Sequence, residues 1–249
     1  YGDLGLLKEM LTTRDYAAVM MEVSRTGYPD AGFLNDVRQV CSQTGTLLIF
    51  DECTSGFRET FGGLHLKYGV VPDMAMFGKA LGNGYAVTAV LGRREIMDHA
   101  QSSFISSTFW SERIGSVAAL ATLNVMQEER SWEVISRTGQ SIKNNWQQIF
   151  SAHGVQAYIG GLDAIPQFYI DSDRMLQYKS LLTQEMLKKN FLASNIFFAS
   201  IAHNSQVLSE YLEVFENTIS RFSSLIRSND DVSHLLEGPV CHSGFKRLN

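Results

Sequence analysis

Several function classes are excluded by what this chain lacks. There is no excess of basic residues: 21 lysines and arginines stand against 26 acids, for a formal net charge of -5. A nucleic-acid footprint is therefore missing. No apolar run approaches the roughly eighteen residues of a membrane span, and the opening residues do not read as a secretory leader. Cysteine is scarce. Cys41, Cys53 and Cys241 are an odd number without metal or disulfide spacing, a usage expected of a reducing, cytoplasmic compartment. The histidines are scattered singly, so none is assigned to a metal. A phosphate-binding Gly-x-x-x-x-Gly-Lys-Ser/Thr loop is absent too. Gly78-Lys79-Ala80 lacks both the earlier glycine and the hydroxyl, so the apolar run ending in Asp51-Glu52 is not half of a nucleoside-triphosphate site. Internal repeats and low-complexity segments are missing as well.

What is present is an ordinary globular composition, 45% hydrophobic over 249 residues. That suffices for one large domain or two small ones. The pattern predicts a short helix from Leu4 to Leu11 and a strand from Ala17 to Val23. A helix follows through about Thr44, with Phe33, Leu34, Val37, Val40 and Cys41 on one face. Gly45 closes it and a strand runs to Asp51, an order that suggests a parallel crossover unit. Further strands are expected at Met74 to Phe77 and Val87 to Leu91, and a short helix at Arg94 to Ala100. A long helix from about Glu112 to Glu129 has its apolar stripe at Ile114, Val117, Ala118, Ala121 and Val125.

Beyond it, Ser131 to His153 reads as an amphipathic helix. Strands near Val155 to Ile159 and Ala164 to Ile170 follow, with Gly160-Gly161 as their turn. A helix at about Arg174 to Lys189, a strand at Phe191 to Ala199 and a helix at Ser205 to Arg227 complete the pattern. From Ser228 the chain turns polar and loses periodicity, which reads as a tail.

The chemistry lies at two strand ends. Leu47-Leu48-Ile49-Phe50 delivers Asp51, and Met74-Ala75-Met76-Phe77 delivers Gly78-Lys79. In open α/β sheets the carboxyl edge of the strands is where ligands bind. A lysine and an acid emerging there together suit pyridoxal phosphate, which needs an amine for a Schiff base and a carboxylate against its ring nitrogen. Taken singly, Lys79 could be a solvated surface residue and Asp51 could cap the backbone at Thr54 or Ser55.

A longer passage decides between these readings. Leu47 to Asp98 reads LLIFDECTSGFRETFGGLHLKYGVVPDMAMFGKALGNGYAVTAVLGRREIMD. It resembles the class III, fold-type I aminotransferases, a family that includes glutamate-1-semialdehyde aminomutase. The shared pattern is an apolar strand, Asp-Glu, a Gly-Phe-Arg turn, Tyr-Gly-Val-x-Pro-Asp, then Lys-x-Leu-Gly-x-Gly. Weaker resemblance extends from about Tyr1 to Leu225.

The resemblance implies the latter part of a fold-type I large domain over residues 1–130, a mainly parallel α/β sheet with helices. A smaller α+β C-terminal domain would occupy 131–227 and a polar tail 228–249. The family's long N-terminal region, which carries the phosphate cup and the ring-stacking aromatic, is not seen before Tyr1. Lys79 would be the Schiff-base lysine, with Gly78 letting the backbone pass near the ring. Asp51 would accept the pyridinium N–H, and Cys53 stands where the family usually has a ring-packing valine. Thr108 matches a threonine that reaches the cofactor phosphate of a partner subunit, which implies a homodimer.

Relatives commonly continue Gly-Asn-Pro, whereas here Phe109-Trp110-Ser111-Glu112-Arg113 follows. Trp110 would be core or would reshape the pocket. Arg113 would pair with Glu112, a neighbour or a substrate carboxylate. Glu52 and Glu22 read as structural or supporting acids. The expected function is pyridoxal-phosphate-dependent transfer of an amino group between a small-molecule donor and a keto or aldehyde acceptor. The alternatives are a 2,1-aminomutase and a catalytically silent fragment.

Overall fold

Short apolar runs separated by one crossover helix build the first part of the chain. Helix α1 (Leu4–Thr13) precedes strand β1 (Ala18–Glu22), helix α2 (Phe33–Thr44) and strand β2 (Leu47–Asp51). β1 and β2 run parallel, with Ala18 opposite Leu47 and Glu22 opposite Asp51. α2 is the crossover. It buries Leu34, Val37, Val40 and Cys41, the face its periodicity marks. It stops at Gly45, whose φ of 71° sends its N–H back to the Cys41 carbonyl; glycine adopts that left-handed backbone at little cost. Strand β3 (Met74–Phe77) joins β2 in parallel, and strand β4 (Ala89–Gly92) returns antiparallel to β3. The order is β1-β2-β3-β4.

This computed structural model describes residues 1–24, 27–109 and 111–244. The chain divides into two compact units, Tyr1–Val134 and Ile135–Asn249.

A buried carboxylate fixes the sheet of the first unit. Asp73, 4% exposed, accepts the Leu48 backbone N–H at 2.7 Å. It also accepts Arg38 at 2.7 Å and Arg93 at 3.1 Å. It thereby ties α2, β2, the start of β3 and the turn after β4 to one point. Burial alone would push its pKa up, but the Leu48 N–H and the two guanidinium groups hold it below the usual carboxylate range.

After the short helix α3 (Arg94–Met97) comes helix α4 (Ile114–Glu129), and here the expected face is wrong. Ile114 and Val117 are each 62% exposed and Val125 is 45% exposed. The packed side instead carries Gly115 and Met126, with Ala119 and Leu123 against Ala75, Phe77 and Leu81. The helix is apolar on more than one side, so periodicity cannot choose its inner face.

The second unit takes most of helix α5 (Ser131–Ala152), then strands β5 (Ala157–Leu162) and β6 (Ile165–Ile170), helix α6 (Met175–Leu187) and helix α7 (Ser205–Arg227). Its core is aromatic. Trp146 meets Phe168 edge-on at 4.9 Å between ring centroids, and Phe150 and Phe215 close around Phe168 at 5.1 and 5.8 Å. Such pairs add about 0.5–1.5 kcal/mol beyond area burial. The Trp146 indole N–H donates to the Tyr211 oxygen at 3.1 Å, so this polar tip inside the cluster is satisfied. Asn204 caps α7 by accepting the Val207 N–H at 3.0 Å.

Three expectations fail in this unit. Gly160-Gly161 lies within β5, not in a turn. Gly161 has φ 75°, and a side chain there would run into the Ile165 carbonyl. The hairpin turns at Asp163-Ala164 instead. Phe191 to Ala199 makes an isolated bridge, Gln167 to Ile196, rather than a strand. Its remaining bonds to β6 are discontinuous, such as Phe197 N–H to the Pro166 carbonyl at 2.9 Å. Pro166 has no N–H to extend the ladder.

The segment after Ser228 is no solvated tail. Val232 is fully buried, and Leu235 and Leu236 pack on the aromatic core. The Cys241 N–H reaches the Ser180 hydroxyl at 2.8 Å. So few apolar residues around one short turn leave no period to detect.

Candidate active site

Asp51 is the last residue of β2 and lies opposite Met76 of β3 in the parallel ladder, so the two backbones are about 4.8 Å apart. β3 ends on the buried Phe77, and Lys79 emerges just past the same edge of the sheet. Gly78 is extended, and Lys79 then turns into the left-handed region with φ 43°. A non-glycine residue there costs about 1–2 kcal/mol. Strain of this kind clusters at functional sites. The Lys79 amine donates to the Thr54 hydroxyl at 2.5 Å.

The turn after β2 completes the group. The Cys53 N–H donates to Asp51 Oδ1 at 2.9 Å. Burial pushes the Cys53 thiol up, and the Asp51 carboxylate adds to this through hydrogen bonding and charge, while the Lys79 charge opposes it. Asp51, Cys53 and Lys79 thus share one electrostatic environment. Lys67, Lys143 and Lys188 each sit on a carboxylate, at 2.7, 3.0 and 2.7 Å. Lys79 is held by a neutral hydroxyl instead.

Glu52 proves structural. Its side chain is fully buried. It accepts the Ser55 hydroxyl at 2.5 Å, the Leu64 and His65 N–H groups at 2.9 Å each, and meets His65 Nδ1 at 2.8 Å. Burial would push its pKa up, yet the His65 and Ser55 side chains and the two backbone donors hold it below the usual range. Arg58 Nε donates to the Thr54 carbonyl at 2.7 Å, so the Cys53–Arg58 turn is pinned at both ends.

Thr108 is not brought to this group. It stands exposed in the loop before α4, without a bond to Asp51, Cys53 or Lys79 among the described residues. Trp110 lies outside the described residues. Glu112 is engaged as a cap, accepting the Ile114 N–H at 2.6 Å and the Gly115 N–H at 3.4 Å, and among the described residues no ion pair joins it to Arg113. Glu22 faces Asp51 across the β1–β2 ladder.

Thr54 is the site residue that sequence reasoning missed. Its only signal is a hydroxyl three positions after Asp51, in a turn where hydroxyls commonly cap backbone.

The stretch that carries these residues matches a known family. The family described as Aminotransferase class-III matches residues 6–185. The 3-aminobutyryl-CoA aminotransferase of Cloacimonas acidaminovorans (strain Evry) is 32% identical over 212 residues, spanning 82% of this chain and 51% of that protein. The glutamate-1-semialdehyde 2,1-aminomutase of Ignicoccus hospitalis is 31% identical over 229 residues, spanning 84% of this chain and 54% of that protein. Among solved structures, the FumI protein of Sphingopyxis sp. MTA144, in its pyridoxal-phosphate internal aldimine form, superposes with a TM-score of 0.85 at 25% identity. It covers 92% of this chain, which covers 57% of it. The chain spans about half the length of the curated relatives it matches.

Proposed function

The chain belongs to the class-III aminotransferases, and on that premise we propose that its protein moves an amino group between a small-molecule donor and a keto or aldehyde acceptor, with pyridoxal phosphate as cofactor. Its fold is the α/β fold of the type I pyridoxal-phosphate transaminases, present in part. One observation carries the functional reading: an acid and a lysine leave neighbouring parallel strands at the same edge, Asp51 from β2 and Lys79 just after β3.

The donor set fits this cofactor. There is a primary amine on a neutral partner, a half-buried carboxylate fixed by a backbone N–H, and a compact thiol that both groups influence. When bound, pyridoxal phosphate supplies an aldehyde that condenses with primary amines and a ring that withdraws electrons from the attached carbon. Lys79 is the group to hold it covalently and, once released by substrate, to carry a proton on its Nζ. Asp51 accepts the ring N–H, and its negative charge keeps that proton in place. Cys53 takes a packing role beside the ring. Thr108 reaches the phosphate of a second subunit in a homodimer. The exposed apolar face of α4, with Ile114, Val117 and Leu120 each 62% exposed, supports a covered surface there.

A cytoplasmic location is proposed from cysteine usage; among the described residues no helix is long and apolar enough to cross a membrane.

The test is chemical. Load the protein with pyridoxal phosphate, reduce with borohydride, digest and locate the adduct. It is expected on Lys79, and an adduct on Lys67, Lys188 or Lys189 instead removes the assignment. The second reading is an intramolecular 2,1-aminomutase, favoured by the name of the Ignicoccus relative. Turnover that needs no separate keto-acid acceptor selects it. Cofactor capture without any turnover identifies a catalytically silent fragment.

A further inference from the structure

We infer that Thr54 is a positioning residue for Lys79: its hydroxyl docks the lysine amine at the strand ends whenever that amine is not covalently engaged. The inference rests on the role proposed for Lys79 and adds the residue that would aim it.

The geometry is direct. The Lys79 amine donates to Thr54 Oγ1 at 2.5 Å, although the lysine side chain is exposed and has four torsions free to wander. The post is rigid where the lysine is not. Threonine is β-branched and stiff at χ1. Its carbonyl is held by Arg58 Nε at 2.7 Å. The next residue, Ser55, donates to the buried Glu52 at 2.5 Å, and the Gly56 N–H closes the turn on the Glu52 carbonyl at 2.8 Å. The hydroxyl therefore sits at a fixed place three residues beyond Asp51, on the edge where Lys79 emerges. A neutral acceptor also suits the task. A carboxylate, as under Lys67 and Lys188, would hold an ammonium by charge and compete with its chemistry. A hydroxyl orients the nitrogen and releases it.

The test uses the chain without cofactor, so it does not depend on the proposed reaction. Trace acylation with an N-hydroxysuccinimide ester, quantified lysine by lysine and normalised to Lys8, reports how freely each amine reacts. Thr54→Val removes the hydroxyl at nearly constant shape, and Thr54→Ser keeps it. Lys79 should acylate about three to five times faster in Thr54→Val, the size expected for losing one solvent-exposed hydrogen bond. It should stay within about twofold of the parent in Thr54→Ser, with Lys67 unchanged in both. Thr54→Ala provides the same loss if the valine variant does not fold.

A second readout follows cofactor. Borohydride capture on Lys79 should drop severalfold in Thr54→Val and recover in Thr54→Ser. An unchanged Lys79 acylation rate in a folded variant without the hydroxyl overturns the inference. Absence of capture in the parent protein would overturn the cofactor reading, while the acylation result would still decide the role of Thr54.

Discussion

Replacing Glu52 tests the scaffold of the site separately from its chemistry. The side chain is fully buried and engages four groups: the Ser55 hydroxyl, the Leu64 and His65 N–H groups, and the His65 ring. Glu52→Ala leaves all four without an acceptor in a cavity. Each unsatisfied buried group costs about 1–3 kcal/mol. Water entry and relaxation of the 61–66 loop reduce the sum, and breaking a buried charged contact by removing one side typically costs about 3–5 kcal/mol. A loss near that range is expected for alanine. Glu52→Gln should lose about half as much, because one oxygen still accepts while its amide faces donors.

The sign with pH follows from the lowered pKa of Glu52. Its contribution is complete above the unfolded value of about 4.3 and disappears as pH falls through the lower folded value. Parent stability should therefore decline below about pH 4.3, and the glutamine variant should show a shallower decline. Two compact units make a single unfolding midpoint ambiguous, so the assay should be local. Hydrogen–deuterium exchange of the peptide carrying Leu64 and His65 should accelerate by orders of magnitude in Glu52→Ala, while the α7 peptides stay unchanged. Unaltered protection at those two amides would refute the reasoning, since both donate to this one carboxylate.

The remaining expectations concern the site. Asp51→Asn should cut turnover strongly and weaken cofactor binding about ten- to a hundredfold, the equivalent of one charge-assisted bond at about 1.5–3 kcal/mol; a titration with equal affinity would remove its role. The same substitution should speed the reaction of Cys53 with a disulfide reagent even without cofactor, because it removes the Asp51 contribution that, after burial, raises the thiol. Mixing Lys79→Ala with Thr108→Ala protein should restore partial activity through dimers with one intact pocket. No recovery despite proven subunit exchange would confine Thr108 to its own chain or to no cofactor role.

Legibility in the sequence followed the physics that sets each feature. Strands β2 and β3 were plain because a buried parallel strand is a continuous apolar run stopped by turn residues. α7 was read to its ends, Ser205 and Arg227, because one apolar stripe begins behind a capping asparagine. α4 was located but turned the wrong way, since Ile114 and Val117 look as core-like in composition as Ala119 and Leu123. Gly160-Gly161 looked like a turn because the need for Gly161 comes from the close approach of Ile165, a contact absent from local sequence. Glu52 was read as structural without its partners, Leu64 and His65, which reach it only through a thirteen-residue loop. Thr54 was missed for the same reason, because its partner is 25 residues away.

The backbone of Lys79 shows why the visible and the hidden parts of the site belong together. A lysine with φ 43° pays about 1–2 kcal/mol that glycine or asparagine would largely avoid. The turn tolerates it. The Leu81 N–H returns to the Gly78 carbonyl at 3.0 Å, and the Gly82 and Asn83 N–H groups return to the Lys79 carbonyl at 3.1 Å each. Leu81 is 6% exposed and packs with Ala75 and Phe77, and burying such a side chain contributes about 1.5–3 kcal/mol. The strain is therefore offset within three residues. Neither the turn nor the core of this unit requires an amine at position 79, however, since the side chain is exposed and its partner is the Thr54 hydroxyl. A strained backbone that the fold would hold as well with a cheaper residue, carrying a side chain bonded to a pinned hydroxyl near the end of β2, supports the role proposed for Lys79.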